Sequence, residues 1–219
     1  MKILAVSDFH GSVKASERVV LKAKDIPADV VVVCGDITNF GSPEDDEKVL
    51  SPLTVLKLPV LYVPGNCDPH SLLEAKIEGA NCIHGKCEVY GGVSLIGTAS
   101  LPLDRVHPSP WEISEEEILD ALNVGLKHCT PKQSLAVVAH SPHLNTKLDL
   151  AYAGHVGSSS LRFFIEQKQP SVVFCGHIHE ARGIDYIGET VIVNTGPVRH
   201  GHCAVAVFNE KVEVQLDSL

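Results

Sequence analysis

Residues 2–10 read Lys2-Ile3-Leu4-Ala5-Val6-Ser7-Asp8-Phe9-His10, an apolar run closed by an acid and an imidazole. The same arrangement returns along the chain. Val30 to Cys34 is followed by Gly35-Asp36, and Val60 to Val63 by Pro64-Gly65-Asn66. Leu135 to Ala139 is followed by His140, and Val172 to Cys175 by Gly176-His177-Ile178-His179. Runs apolar on both faces read as buried strands of a largely parallel sheet. Each chemical residue falls where its strand emerges into a loop, and open α/β sheets bind ligands at the carboxyl ends of their strands. Carboxylates and imidazoles delivered from five segments to one edge predict a metal centre, and with it a metal-dependent hydrolase.

Between the first three strands the sequence predicts helices. Val13 to Lys24 alternates charged and apolar residues and stops near Pro27, and an acidic start at Glu44 to Glu47 runs to about Leu56, with Pro59 ending it. Thr38 to Pro43 reads as a loop. Strand, helix, strand, helix, strand is a doubly wound beginning. Further on, Lys86 to Tyr90 and Val93 to Gly97 form a hairpin through Gly91-Gly92. Leu101 to Pro110 is irregular, and Ser114 with Glu117 is a capping box for a helix reaching Lys127. Ser158 to Glu166 is a short helix. Thr190 to Asn194, Cys203 to Phe208 and Val212 to Leu216 are strands, the last two joined by a tight turn at Asn209-Glu210. The expected architecture is α/β with two packed sheets covered by helices, parallel in the first half and more antiparallel in the second. No repeat or linker divides the chain, so residues 1–219 are expected to form one domain.

The bulk numbers narrow the partners. With 44% hydrophobic and 21% charged residues a soluble globular protein is expected. The 18 Lys and Arg against 27 Asp and Glu argue against an extended nucleic-acid surface, and so against a nuclease acting on DNA or RNA ends. A phosphate substrate remains compatible, because bound divalent cations invert the local field. Seven cysteines without a CxxC pair predict neither a zinc knuckle nor a dithiol redox site. Free thiols, no leader-like start and no run of about 20 apolar residues predict a cytoplasmic protein without a membrane span.

In an extended segment residues i and i+2 point to one side. On that basis Asp8 and His10 reach one ion together, and so do His177 and His179. Gly35 would let the backbone pass close to an ion beside Asp36, while Asn66 and His140 add neutral donors. Nitrogen and oxygen donors without thiolate favour manganese, iron or zinc over calcium. Singly, these residues have ordinary readings as caps and turns. His84 and His128 keep the ordinary one.

The ordered set D-x-H (SDFHGS, 7–12), G-D (CGDITNFG, 34–41), G-N-x-D (VPGNCD, 63–68), a lone His (AHSPH, 139–143) and G-H-x-H (CGHIHEARG, 175–183) resembles the calcineurin-like metallophosphoesterase superfamily, small prokaryotic stand-alone enzymes in particular. The matched blocks run from Lys2 to Thr195. The resemblance implies a four-layer α/β/β/α sandwich. It also implies two divalent transition-metal ions, manganese first, with iron, zinc, nickel or cobalt also compatible. Asp8, His10, Asp36 and His179 would hold one ion. Asp36, Asn66, His140 and His177 would hold the other, with Asp36 as the bridge. The implied reaction is hydrolysis of a phosphate ester by a metal-bound water or hydroxide.

One position departs from the commoner pattern, which has His where this chain has Cys67. That His assists the transferring phosphoryl group or the leaving oxygen, and an ordinary thiol is a poorer proton donor near neutral pH. The departure shifts the expected substrate toward phosphodiesters. Asp68, which resembles the acid that orients the missing His, here reads as a cap for a helix near His70. His143 and His155 are candidates for proton transfer, against an ordinary reading as exposed loop residues. Asn39 and Arg182 are candidate phosphate contacts, Arg182 having an ion pair near Glu180 as its alternative. Asn194 resembles a support behind the metals. The segment from Pro102 to Pro131 is where a substrate-selecting cap would lie, and its Trp111 either packs or stacks on a substrate ring. The expected partner is a small phosphate ester, self-association being compatible. The competing class is a non-catalytic scaffold on the same fold, which would typically have lost metal ligands.

Overall fold

In the computed structural model, which describes residues 1–103, 109–130, 133–152 and 154–219, the run Val30–Cys34 is a strand with no exposed residue. Val31 and Val33 enter one apolar layer, and Val30, Val32 and Cys34 enter another, as the two-residue period of a strand dictates. Both faces therefore need a cover. Helices supply one and a second sheet the other.

The chain begins with β1 (Lys2–Val6), α1 (Val13–Asp25), β2 (Val30–Cys34), α2 (Pro43–Thr54), β3 (Val60–Val63) and β4 (Ala80–Cys82). It continues with β5 (Cys87–Tyr90), β6 (Val93–Thr98), α3 (Glu115–Lys127) and β7 (Ser134–Ala139). A short ribbon of β8 (Leu150–Ala151) and β9 (Gly154–His155) precedes α4 (Ser159–Lys168) and β10 (Val172–Cys175). Strands β11 (Gly183–Ile187), β12 (Thr190–Asn194), β13 (His202–Phe208) and β14 (Val212–Ser218) end it. One six-stranded sheet has the order β14-β13-β1-β2-β3-β4, and the other β11-β12-β10-β7-β6-β5.

Three apolar layers match the expected α/β/β/α sandwich. Leu4, Val31, Val33 and Tyr62 meet Val19, Leu50 and Leu53 of α1 and α2. Ile3, Val32 and Leu61 pack with Leu95, Val138, Phe174 and Val193 of the second sheet. Val137, Val173 and Ile192 face Leu122, Leu161 and Phe164 of α3 and α4. Each such fully buried aliphatic or Phe side chain contributes roughly 1.5–3 kcal/mol relative to an exposed one.

The structure corrects the expected division between halves. Both sheets are mixed: β1 to β4 run parallel and β1 pairs antiparallel with β13, while β6, β7, β10 and β12 run parallel between antiparallel edges β5 and β11. Helices α3 and α4 return the chain to the same end before β7 and β10, which makes that second core parallel. Strands β4, β8, β9 and β11 lie outside the expected set. Helix α2 starts at Pro43 and stops at Thr54, two residues before Leu56, and the β13–β14 turn takes three residues, 209–211. The Ser114–Glu117 capping box is present, with Glu117 Oε2 accepting the Ser114 N–H at 2.7 Å. Of the irregular segment Leu101 to Pro110, residues 104–108 lie outside the described residues. No helix among the described residues is long and apolar enough to cross a membrane.

Candidate metal centre

Parallel strands end at a common edge, so the loops after β1, β2 and β3 meet those after β7 and β10. Backbone bonds continue past the strand ends and keep the first two loops in register: Asp8 N–H to Gly35 O (3.0 Å), His10 N–H to Asp36 O (3.0 Å) and Gly11 N–H to Ile37 O (2.8 Å). Three sets of donor atoms gather there, each within 4.8 Å of one another: Asp8, His10 and His179; Asp36, His140 and His177; and His10, Asp36 and Cys67. Asn66 joins the second set, its Oδ1 lying 3.0 Å from His140 Nε2. The first two sets fall within the two groups the resemblance implied, the first without Asp36.

The route to this convergence differs from the extended-segment argument. Asp8, His10, Asp36 and His177 all have positive φ, at 58°, 46°, 52° and 68°. Left-handed backbone costs on the order of 1–3 kcal/mol per residue and collects at functional sites. Asp8 and His10 thus share a set through a tight turn. His177 and His179 do not share one: the left-handed turn sends His177 to the Asp36 side, and His179, opening a short 3-10 helix, returns to Asp8. Gly35 also serves differently from expectation, since the space a Cβ would take lies 2.6 Å from His140 Nδ1.

Donor chemistry fits cations. The Cys34 carbonyl 2.8 Å from His140 Nδ1 only accepts, so Nδ1 carries a hydrogen and Nε2 is the nitrogen left to present a lone pair to a cation. That lone pair faces Asn66 Oδ1 and, at 3.4 Å, Asp36 Oδ1. On the other side His10 Nε2 and His179 Nε2 stand 3.4 Å apart, and His179 Nε2 is within hydrogen-bond distance of Asp8 Oδ1 at 3.3 Å. The acceptors pointed at one another around His140 Nε2 repel unless a cation lies among them. An ion about 2.0–2.2 Å from nitrogen and oxygen donors would hold them roughly 3–3.5 Å apart. Asp36 splits its carboxylate between the sets: Oδ1 lies near His140 and accepts the Cys67 N–H at 2.9 Å, and Oδ2 lies 3.8 Å from His10 Nε2.

Electrostatics favour the ligating form at Asp8, His10 and His177. Burial alone would raise the Asp8 carboxyl, but the His179 hydrogen bond, the His140 charge and the Ser7 hydroxyl together hold it below the usual range. Burial pushes His177 down to about 4 and lowers His10 against the pull of Asp36 and Asp8. His179 is raised by its bond to Asp8. Burial and then the Asp36 carboxylate drive the Cys67 thiol up.

Several neighbours differ from their expected places. Asp68 caps no helix. It accepts the N–H groups of Ile37 (3.1 Å), Thr38 (2.8 Å) and Gly65 (2.8 Å), tying the Asp36 and Asn66 loops together. Arg182 is neither a phosphate clamp nor a partner of Glu180, because its guanidinium donates to the carbonyls of Thr195 (3.2 Å) and Asp217 (2.9 Å). Asn194 donates to Ile178 O at 2.8 Å and accepts Gly196 N–H at 2.9 Å, supporting the His177 loop from behind. Asn39 is exposed. His143, far from being an exposed loop residue, is fully buried with both ring nitrogens unpartnered among the described residues. It belongs to none of the three sets. His155 is exposed and bonded through Nδ1 to Asp149 at 2.7 Å. His84 takes its ordinary reading, accepting Ala99 N–H at 2.9 Å. Ser7 and Thr195 were not anticipated. The Ser7 hydroxyl donates to Asp8 Oδ2 and pairs with Thr195 Oγ1 at 2.8 Å, and nothing in the sequence distinguishes either residue from any loop hydroxyl.

Two clefts open from the centre. One, of about 470 Å³, is lined by Asn66, His177, Leu101, Tyr152 and Val156 among others. The other, of about 250 Å³, is lined by Asn66, Cys67, Phe40, His70 and Trp111 among others. Trp111 both packs on the α3–α4 layer and meets His70 edge-on at 5.2 Å.

Comparison with known proteins agrees with this geometry. The model of the calcineurin-like phosphoesterase superfamily domain matches residues 1–209. The uncharacterized protein MJ1162 of Methanocaldococcus jannaschii is 36% identical over 202 residues, covering 90% of this chain and 88% of the relative. Protein TT1561 of Thermus thermophilus superposes with a TM-score of 0.73 at 18% identity, over 98% of this chain and 97% of the other. A dimetal phosphatase from Danio rerio superposes with a TM-score of 0.70 at 13% identity, over 100% and 96%. At such identities the two structures establish the fold alone.

Proposed function

We propose that this chain, which belongs to the calcineurin-like phosphoesterase superfamily, hydrolyses small phosphodiesters at a two-metal centre formed within one domain spanning residues 1–219. The observation that carries the diester reading is the pair of clefts, which among the described residues have only Asn66 in common. A monoester has one organic arm to seat. A diester has two, and with its phosphorus at the centre each arm has a cleft.

Asp8, His10, Asp36 and His179 hold one ion in this proposal, and Asp36, Asn66, His140 and His177 the other. When bound, the ions supply a water acidified for attack and positive charge against the phosphoryl oxygens. The protein's own part is positional. Asp36 neutralises both sites at once, the Cys34 carbonyl fixes the His140 tautomer, and Asp68 locks the Asp36 and Asn66 loops in register. Cys67 stands where an imidazole would otherwise serve the leaving oxygen, so the chain is suited to esters whose leaving group departs without strong acid assistance. Manganese suits the mixed imidazole and carboxylate donors. A reducing, cytoplasmic setting suits the free thiols, and the excess of acids over bases suits a small substrate rather than a nucleic-acid strand. A scaffold would have no use for a complete donor set in strained backbone, and no observation favours that reading.

The test is kcat/KM for matched aryl mono- and diesters with the manganese-loaded protein. A diester preference is expected. A monoester preference would overturn the assignment, and no turnover of either ester with both ions bound would overturn the hydrolase itself.

A further inference from the structure

Two thiols outside the metal centre lie closer than unbonded sulfur atoms rest: Cys87 Sγ and Cys129 Sγ are 2.7 Å apart. Cys87 opens β5, the edge strand of the second sheet, opposite Ile96 of β6. Cys129 lies two residues past α3, where its N–H donates to Leu126 O at 3.1 Å. The two segments are pressed together. A Cβ on Gly125 would stand 2.8 Å from Lys86 O, so the helix end sits directly on the residue before Cys87. Both cysteines are half-buried, within reach of a small reagent.

We propose that Cys87 and Cys129 form a reversible disulfide that fastens the end of α3 to the edge strand, made and broken by exchange with a small-molecule disulfide of the glutathione type. A shared metal ion is the other role for a thiol pair, but no group of three ligating side chains among the described residues includes either cysteine. The exchange balances with that oxidant. One protein thiolate attacks the small disulfide, forming a mixed disulfide and releasing one small thiol. The second protein thiolate then attacks the protein-side sulfur and releases the other. Two electrons pass from the cysteine pair to the oxidant, and the two thiol protons end on the two small thiols. Burial and the contact with Cys87 push the Cys129 thiol up.

The bond would close a loop between positions 42 apart in sequence, removing freedom from the unfolded chain. For a loop of that length the expected rise in unfolding midpoint is about 5–15 °C.

The full chain is reduced, equilibrated against graded ratios of oxidised to reduced glutathione, quenched with acid and alkylated. Peptide mapping and differential scanning calorimetry follow. The expected result is a protein two hydrogen masses lighter, a linked Cys87–Cys129 peptide that dithiothreitol dissolves, and a raised midpoint. Cys87→Ser and Cys129→Ser should each abolish the link and the midpoint shift, leaving a glutathione adduct on the remaining thiol. The proposal is overturned if both cysteines stay alkylatable in oxidised buffer, if wild type stops at a glutathione adduct, or if either residue links to another cysteine. Should one variant fail to fold, the wild-type map and the other variant decide the matter.

Discussion

Gly65→Ala isolates the placing of Asp36 from its charge. Gly65 lacks positive φ, so the backbone itself accepts alanine. The space does not. A Cβ at Gly65 would stand 2.9 Å from Asp36 Cγ and nearer still to Oδ1 and to the Asp36 backbone nitrogen, against ordinary contact at 3.4–4 Å. The Asp36 carboxylate and its backbone both have to retreat, by about 1 Å at the nearest atoms. Asp36 Oδ1 and Oδ2 face different donor sets, so one displacement disturbs both. A misplacement of about 1 Å in a catalytic arrangement costs about 10²-fold in rate, or about 2.7 kcal/mol. The variant should therefore lose about 10²-fold in kcat on an aryl diester, with lowered metal content and far-ultraviolet circular dichroism unchanged. Kinetics in saturating manganese, elemental analysis and dichroism on one preparation measure all three. Near wild-type turnover with two ions retained would refute the role assigned to the Gly65–Asp36 contact.

Three further outcomes follow from the same geometry. Asp36→Asn keeps the shape and removes the shared anion, so turnover and metal stoichiometry should both fall while the fold persists; normal kinetics with two ions bound would contradict the bridge. Cys67→His should raise monoester relative to diester kcat/KM, by up to about 10²–10⁴-fold for a well-placed acid, read across a pH series with metal content checked. An unchanged ratio would free Cys67 of any part in the choice. Burial pushes His143 down to about 4, so between that value and the ordinary 6.5 the unfolded chain binds more protons and stability falls as pH drops. The loss attributable to this group is about 3 kcal/mol by the lower end. His143→Leu should thus be neutral or stabilising at pH 7 and flatten that acid loss in urea titrations, and parallel pH slopes for both proteins would refute it.

Strand identity was legible wherever burial on two faces left an uninterrupted apolar run, as at Val30–Cys34 and Val172–Cys175. It was not legible where neighbours make the strand. Ala80–Cys82 has three residues and an exposed Asn81, and Gly183–Ile187 interrupts its run with Asp185, so pairing with β3 and β12 defines them rather than their own pattern. The parallel core of the second sheet depends on where α3 and α4 return the chain, which side-chain periodicity does not encode. At the site, ligand types and order were readable because each follows a strand end. The separation of His177 from His179 was not, since it is set by a left-handed backbone angle. Arg182 misled because a charged residue beside a site reads as chemistry, while its guanidinium donates to backbone carbonyls. Asp68 misled as a helix cap, because a carboxylate that caps a helix and one that ties two loops accept the same backbone N–H groups.

Metal occupancy of the native protein tests the central claim most directly. The chain, stripped with chelator and reconstituted in manganese, should hold two ions per molecule. Anomalous diffraction should place one among Asp8, His10, Asp36 and His179 and the other among Asp36, Asn66, His140 and His177. Removal should abolish diester hydrolysis and readdition restore it. A well-ordered site that stays empty in millimolar manganese, or hydrolysis that survives complete metal removal, would contradict the account.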